Sequence, residues 1–310
     1  MTNPDRQTKA QRQNAAREKA RIMREEAKRK ARRNKFLLQG GIGLAIVAVI
    51  AIAVVVIVNV ARPASNAGPK NMISDGFVLT STTQYVATPA IPNGGKPTPT
   101  KQADDGKAHI TVYQDLQCPY CQQFEEANDA QISKWLDAGT ATLEIKPISF
   151  LDRSSGTNRY ASRAANALAC VANYDPSDFF AVNKSLYDNQ PQENTGGATD
   201  AQILSWLKKG GASSSQITDC VHSEKFKGWV KAATDRTTPP GTKIPNSNYT
   251  VPSQGFSTPT IIVNKQVYTA PTTGQGLADT AAFASFIEKT VPGWSATGGS
   301  TSSPTPSPAG

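Results

Sequence analysis

Histidine is almost missing from this sequence of 310 residues, where only His109 and His222 occur. Cysteine is scarce too, at four: Cys118, Cys121, Cys170 and Cys220. Zinc needs four ligands, and neither histidine stands at ligand spacing from the other candidates, so no metal centre is expected. His109 reads as an ordinary residue at a strand start, and His222 as an exposed residue near a helix end. Net charge is missing from most of the chain. The formal +9 resides in residues 1–35, where thirteen Lys and Arg face four acids, while the other 275 residues carry twenty of each sign. The basic balance therefore belongs to an N-terminal arm and gives the main domain no reason to bind nucleic acid. Charge of either sign is absent from Phe36 to Val60, and no internal repeat is visible.

That uncharged stretch, FLLQGGIGLAIVAVIAIAVVVIVNV, carries only Gln39 and Asn59 as polar side chains. A helix of this length spans about 37 Å, enough to cross a hydrocarbon core of about 30 Å with some tilt. A buried helix rarely runs so long without a polar face. A cleaved signal peptide has a shorter apolar region and a shorter basic one. The expectation is an uncleaved single transmembrane helix over 36–60. Lys and Arg stay on the cytoplasmic side, so the arm 1–35 is expected inside and everything after residue 60 outside. Glu25–Arg29 and Glu26–Lys30 stand at helical i,i+4 spacing in the arm, which could lie over anionic lipid headgroups.

Residues 61–106 are rich in Pro, Gly, Thr, Ser and Asn and read mostly as linker. Gly76–Thr80 and Gln84–Ala87 are candidate short strands within it. Residues 294–310 end the chain as a low-complexity tail too poor in apolar side chains to fold. The folded unit is expected over 107–293. His109–Tyr113 alternates as a strand. A helix follows from Pro119, with Phe124, Ala127, Ile132, Trp135 and Leu136 on its apolar face and Gly139 at its end. Thr140–Ile148 reads as a second strand. From about 156 to 236 the pattern is helical, with segments Tyr160–Tyr174, Asp178–Asp188, Thr199–Lys209, Ser215–Val221 and Glu224–Arg236. Thr199 is the expected N-cap of its segment, and Gly210-Gly211 the stop. Thr260–Val263 and Gln266–Thr269 read as a hairpin, and Asp279–Val291 as a last helix. Strand–helix–strand implies a parallel pair with a crossover helix. The expected class is α/β, a mixed sheet flanked by helices and carrying an all-helical insertion.

The cysteines carry the chemistry. Four allow three connectivities, and an exported compartment favours pairing. The simplest arrangement is Cys118–Cys121 and Cys170–Cys220. A lone C-x-x-C is a weak signal, because zinc sites use it too and a bridge of that size constrains the unfolded chain little. Position makes this one specific, for it lies where a strand gives way to a helix. Free N–H groups and the helix dipole favour negative charge there. They lower the pKa of a Cys118 thiol and favour the reactive thiolate. Pro119 suits the first turn, where its missing N–H costs nothing. Cys118, ahead of the helix, can be exposed, while Cys121, one turn in, is expected to be buried.

Asp115-Leu-Gln-Cys-Pro-Tyr-Cys121, followed by Phe124-Glu125, resembles the active-site segment of the DsbA family of exported thiol–disulfide oxidoreductases. The resemblance implies a thioredoxin fold with a helical domain inserted between its halves. It also implies a cis-proline before the third strand, and Thr258-Pro259 in FSTPTIIV fits that place. The sequence separation of 138 from Cys121 to Pro259 exceeds what bare thioredoxin allows and suits the insertion. The resemblance covers about 107–291 and points to the membrane-anchored type of actinobacterial envelopes. It makes Cys118 and Cys121 the catalytic pair, with Pro119, Tyr120, Thr258 and Pro259 shaping the motif and the substrate site. It implies no cofactor. Two departures stand out. The family often places a buried acid six residues before the first Cys, where this chain has Val112, and the side-chain direction of Asp115 is open. The central Pro-Tyr is the dipeptide of glutaredoxins, which lack an anchor and an insertion.

The expected activity is donation of the Cys118–Cys121 disulfide to reduced exported proteins, with recharging by a quinone-linked thiol oxidase in the membrane. A reductase or isomerase on the same fold is the nearest alternative. A client-binding module without catalysis is another.

Overall fold

The structure, a computed structural model, describes residues 65–297 apart from residue 273, together with residues 17–19, 21, 23–26 and 28–30. The described residues of the arm are helical and exposed, with Arg21 and Glu25 paired at 3.7 Å. The apolar run Phe36–Val60 lies outside the described residues, as do 298–310. Among those described, no helix is long and apolar enough to cross a membrane.

A five-stranded sheet of order β1-β3-β2-β4-β5 organises the domain. Strands β2 (Ala108–Asp115) and β3 (Ala141–Ile148) run parallel, joined by helix α1 (Pro119–Asp137). Strand β4 (Thr260–Val263) lies antiparallel to β2, and β5 (Gln266–Val267) antiparallel to β4. Phe124, Ile132 and Leu136 of α1 meet Ile110, Val112 and Ile145 in the main core. Gly139, at φ 69°, lets the chain leave α1 and enter β3. Helix α7 (Thr280–Thr290) closes the domain, with Phe283 edge-on to Phe124 at 5.2 Å.

Between β3 and β4 stand five helices: α2 (Tyr160–Tyr174), α3 (Phe179–Asp188), α4 (Asp200–Lys209), α5 (Ser215–His222) and α6 (Lys227–Thr237). Thr199 caps α4 in a reciprocal box with Gln202. The Cys170–Cys220 disulfide joins α2 to α5 across 50 residues, with the two Cα atoms 5.9 Å apart.

Two expectations need correcting. Residues 65–106 are no linker. Phe77–Leu79 forms β1, antiparallel to β3, and Phe77 stacks on Phe179 of the insertion at 4.0 Å. Asp75 accepts from the Arg236 guanidinium at 2.7 and 2.9 Å and from the Trp229 indole at 3.0 Å. A hydrogen bond to a charged group contributes about 1.5–3 kcal/mol, so these contacts tie the segment firmly to α6. The segment covers part of the polar face of the sheet, and Ile244 and Val251 cover Tyr113 further along, so all eight residues of β2 are buried despite their alternation. Under it, Lys146 pairs with Glu144 at 2.9 Å, and Ser74 and Thr100 donate to the same carboxylate. Burial opposes the Glu144 charge, but Lys146 and the two hydroxyls hold its carboxyl below the usual range. The packed domain also runs past 293. Trp294 meets Trp135 edge-on at 5.2 Å, and its indole donates to the Thr140 carbonyl at 2.9 Å. Composition signalled a linker and a tail because Pro, Ser and Thr are frequent in both, but a few aromatic and aliphatic anchors pin residues 65–106, and Trp294 packs at the start of the second.

Candidate active site

Cys118 is the N-cap of α1, with extended backbone (φ −80°, ψ 119°) and no side-chain cap bond. Its thiol stands where a capping oxygen would, against the open N–H groups of the first turn. Pro119 occupies that turn, and Tyr120 is the most exposed large side chain of the site, at 64%. Both cysteines are free thiols, so this is the dithiol form. The loop leading into β4, the strand beside β2, approaches the thiol. The Thr258–Pro259 bond is cis, and the Cys118 thiol donates to the Thr258 carbonyl at 3.3 Å. With that loop against it, Cys118 is 4% exposed, although its place ahead of the helix leaves room for exposure, and Cys121 is 1% exposed.

The two thiols differ electrostatically. The Cys121 thiol lowers the Cys118 pKa most, and burial opposes it. The Thr258 hydroxyl and the N–H groups of Cys121 and Tyr120 add to the lowering, and the result is about 6. The Thr258 hydroxyl is buried without a partner beside the thiol form, so it is free to donate to the thiolate. Burial pushes Cys121 well above the ordinary thiol range, and the neighbouring Cys118 adds to this. Alkylation of the reduced domain by iodoacetamide should therefore rise through half-maximum near pH 6, where a free cysteine would do so near about 8.5. Label should appear on Cys118 first. Because folding lowers this pKa, the thiolate favours the reduced fold at high pH, and that contribution fades as pH falls towards 6.

Two acids lie buried in this region. Asp115 is fully enclosed, and its carboxylate accepts from the backbone N–H of Gln117 at 2.9 Å and of Leu151 at 3.0 Å. Burial raises its pKa to about 7 against those two bonds. Glu125 follows Cys121 by one helical turn. Burial and then Asp129 raise it to about 8. It accepts from the Asn183 amide at 3.2 Å, which in turn accepts from Gln114 at 2.6 Å. Val112 is buried between Ile145 and Ile261, an apolar place. Sequence reasoning gave Glu125 no role, although its i+4 spacing from Cys121 put it on the same helix face. Asn183, Tyr187 and Gln190 of the insertion also reach the site, and no local signal marks them. Cys170 and Cys220 stand apart in α2 and α5, and His109 is bonded to Thr142 and Ala103. Among the described residues, no three His, Cys, Asp or Glu side chains converge as a metal site would require.

Residues 103–244 match the thioredoxin family model, a span holding both cysteines and the insertion and ending before the cis-proline. The structure is similar to the reduced disulfide bond oxidoreductase DsbG of Mycobacterium tuberculosis, with 27% identity and a TM-score of 0.50 over 74% of this chain and 95% of that one. It shares the fold of reduced DsbA from the same organism, with 24% identity and a TM-score of 0.50 over 72% of this chain and 95% of that one. No curated protein matches the chain. A paired-thiol helix N-terminus and a facing cis-proline, with these likenesses, show a thioredoxin-like domain similar to DsbA-type proteins and support disulfide oxidoreductase activity.

Proposed function

We propose that this enzyme acts outside the cell membrane as an oxidase, donating a Cys118–Cys121 disulfide to reduced exported proteins. A substrate thiolate attacks Cys118 of the oxidised form, a mixed disulfide forms, and Cys121 leaves as a thiolate. Its buried position demands a proton, and Asp115, Tyr187 and, one helical turn on, Glu125 are titratable groups lying near. A second substrate thiolate then attacks the substrate sulfur of the mixed disulfide. Cys118 departs as a thiolate, and the substrate keeps the new disulfide. The observation that carries the direction is the stabilised Cys118 thiolate. It favours the reduced enzyme, which makes the disulfide more oxidising. Equilibration of the soluble domain with glutathione buffers should give a potential between about −270 mV, typical of thioredoxin, and about −120 mV, typical of DsbA, nearer the latter. A value at or below thioredoxin's would favour the reductase or isomerase alternative.

The electron path supports the same direction. A reductase outside the membrane needs electrons brought across it, and a single span without cysteine cannot carry them. An oxidase needs only an acceptor in the membrane, for which a quinone-linked thiol oxidase fits. The proposed anchor over 36–60, with the basic arm inside, would hold the domain beside that acceptor. Protease added to spheroplasts should remove the domain and spare residues 1–35. Protection of the domain would reverse the topology.

A further inference from the structure

The helical insertion grips the turn that carries the nucleophile. At the end of α3 the chain runs Tyr187-Asp188-Asn189-Gln190-Pro191, about 70 residues beyond the cysteine pair. The Gln190 amide donates to the Leu116 carbonyl at 2.9 Å and to the Cys118 carbonyl at 3.1 Å. The Tyr187 hydroxyl donates to the Asp115 carbonyl at 3.4 Å. Three of the four backbone carbonyls from Asp115 to Cys118 thus receive a donor from this one loop. The grip is returned from the other side: Gln117 donates to the Pro191 carbonyl at 2.8 Å, and Gln122 to the Tyr187 carbonyl at 3.0 Å.

We propose that Gln190 is a positioning residue for the redox reaction, holding the Leu116–Cys118 turn so that the first N–H groups of α1 stay aimed at the Cys118 sulfur. The inference rests on the reading of Cys118 as the nucleophile. Cys118 makes no side-chain cap bond, so nothing in its own side chain pins the helix start. Its carbonyl already accepts from the Gln122 N–H at 3.1 Å in the helix ladder, and a carbonyl has a second lone pair for Gln190. Both donor hydrogens of the amide are then spent on the two carbonyls that bracket the turn. Their positive ends add to the partial charge of the helix N-terminus beside the thiolate. The insertion therefore sets the reactivity of the cysteine as well as covering the site.

The test compares Gln190→Ala and Gln190→Leu with Asn189→Ala. Leu keeps the bulk of Gln190 and removes its amide, whose N–H groups hold the turn. Asn189 holds the same loop from inside the insertion, donating to the Ser185 carbonyl and accepting from Lys209, and touches neither cysteine. The Cys118 pKa is read from thiolate absorbance at 240 nm, the redox equilibrium from glutathione buffers, and folding from the melting temperature. Both Gln190 variants should raise the thiol pKa by about half a unit to one unit. Both should make the disulfide roughly three- to tenfold less oxidising in its equilibrium with glutathione. Asn189→Ala should lower the melting temperature and move neither quantity. An unchanged pKa in Gln190→Leu would overturn the proposal, as would an equal shift in Asn189→Ala, which would mean that any loosening of the loop suffices. A wild-type domain with no low-pKa thiol at Cys118 would instead remove the reading of the nucleophile itself.

Discussion

Replacing Cys118 with alanine should reduce insulin-disulfide exchange to the level seen without protein, while Cys121→Ala should accumulate mixed disulfides through Cys118. Among the described residues the other two cysteines are bonded to each other, so they offer no substitute thiol. With its pKa lowered to about 6, Cys118 is about nine-tenths thiolate at pH 7, against about 3% for a free cysteine. Cys121 is buried beneath it and held in its thiol form, so it meets only a partner already attached to Cys118. In the insulin assay, where Cys118 attacks the insulin disulfide, Cys121 would release the reduced insulin by attacking Cys118 in turn, and without it the mixed disulfide should persist. Non-reducing gels and mass spectrometry of the trapped species would show the attachment site. Adducts on Cys121 in a Cys118→Ala protein, formed as fast as those on Cys118, would reverse the two roles.

Removing the second disulfide should cost stability and leave exchange nearly intact. A bridge between Cys170 and Cys220 closes a loop of 50 residues, worth about 4 kcal/mol in the chain-entropy account. For a domain of this size, each kcal/mol lowers the melting temperature by about 2–4 °C, so the paired Ala variant should melt roughly 8–16 °C lower. Both cysteines are buried, at 0% and 2% exposure, so the variant also loses packing around two small apolar groups. The bridge joins α2 to α5, whereas the insertion's side-chain hydrogen bonds to the carbonyls of the Cys118 turn come from Tyr187 and Gln190 at the end of α3. Activity measured well below the new melting temperature should therefore stay close to that of the wild type. An unchanged melting temperature would show that the helices need no tie. A large loss of activity in a folded variant would show that the bridge acts on the site.

What the sequence determined by itself was everything written in short-range signals. The strand–helix–strand start, the five helical segments of the insertion, the Thr199 cap and the hairpin before the last helix follow from periodicity and capping within a few residues. The same locality made the redox pair legible, since Cys118 and Pro119 open a helix whatever the rest of the chain does. Tertiary structure decided what depends on partners far along the chain. Asp75 meets Arg236 at a separation of 161 residues, which turns a Pro-rich stretch into a packed edge of the domain. Gln190 meets Cys118 at a separation of 72 and Asn183 meets Glu125 at 58, and neither glutamine nor asparagine carries a periodic or capping signal that announces such a contact. Burial of Cys118 has the same origin. A thiol ahead of a helix is open to water until a loop 140 residues later folds against it, and only packing brings Thr258 there. Local patterns report the preferences of a segment, while the field and exposure at a side chain are set by whatever packs around it.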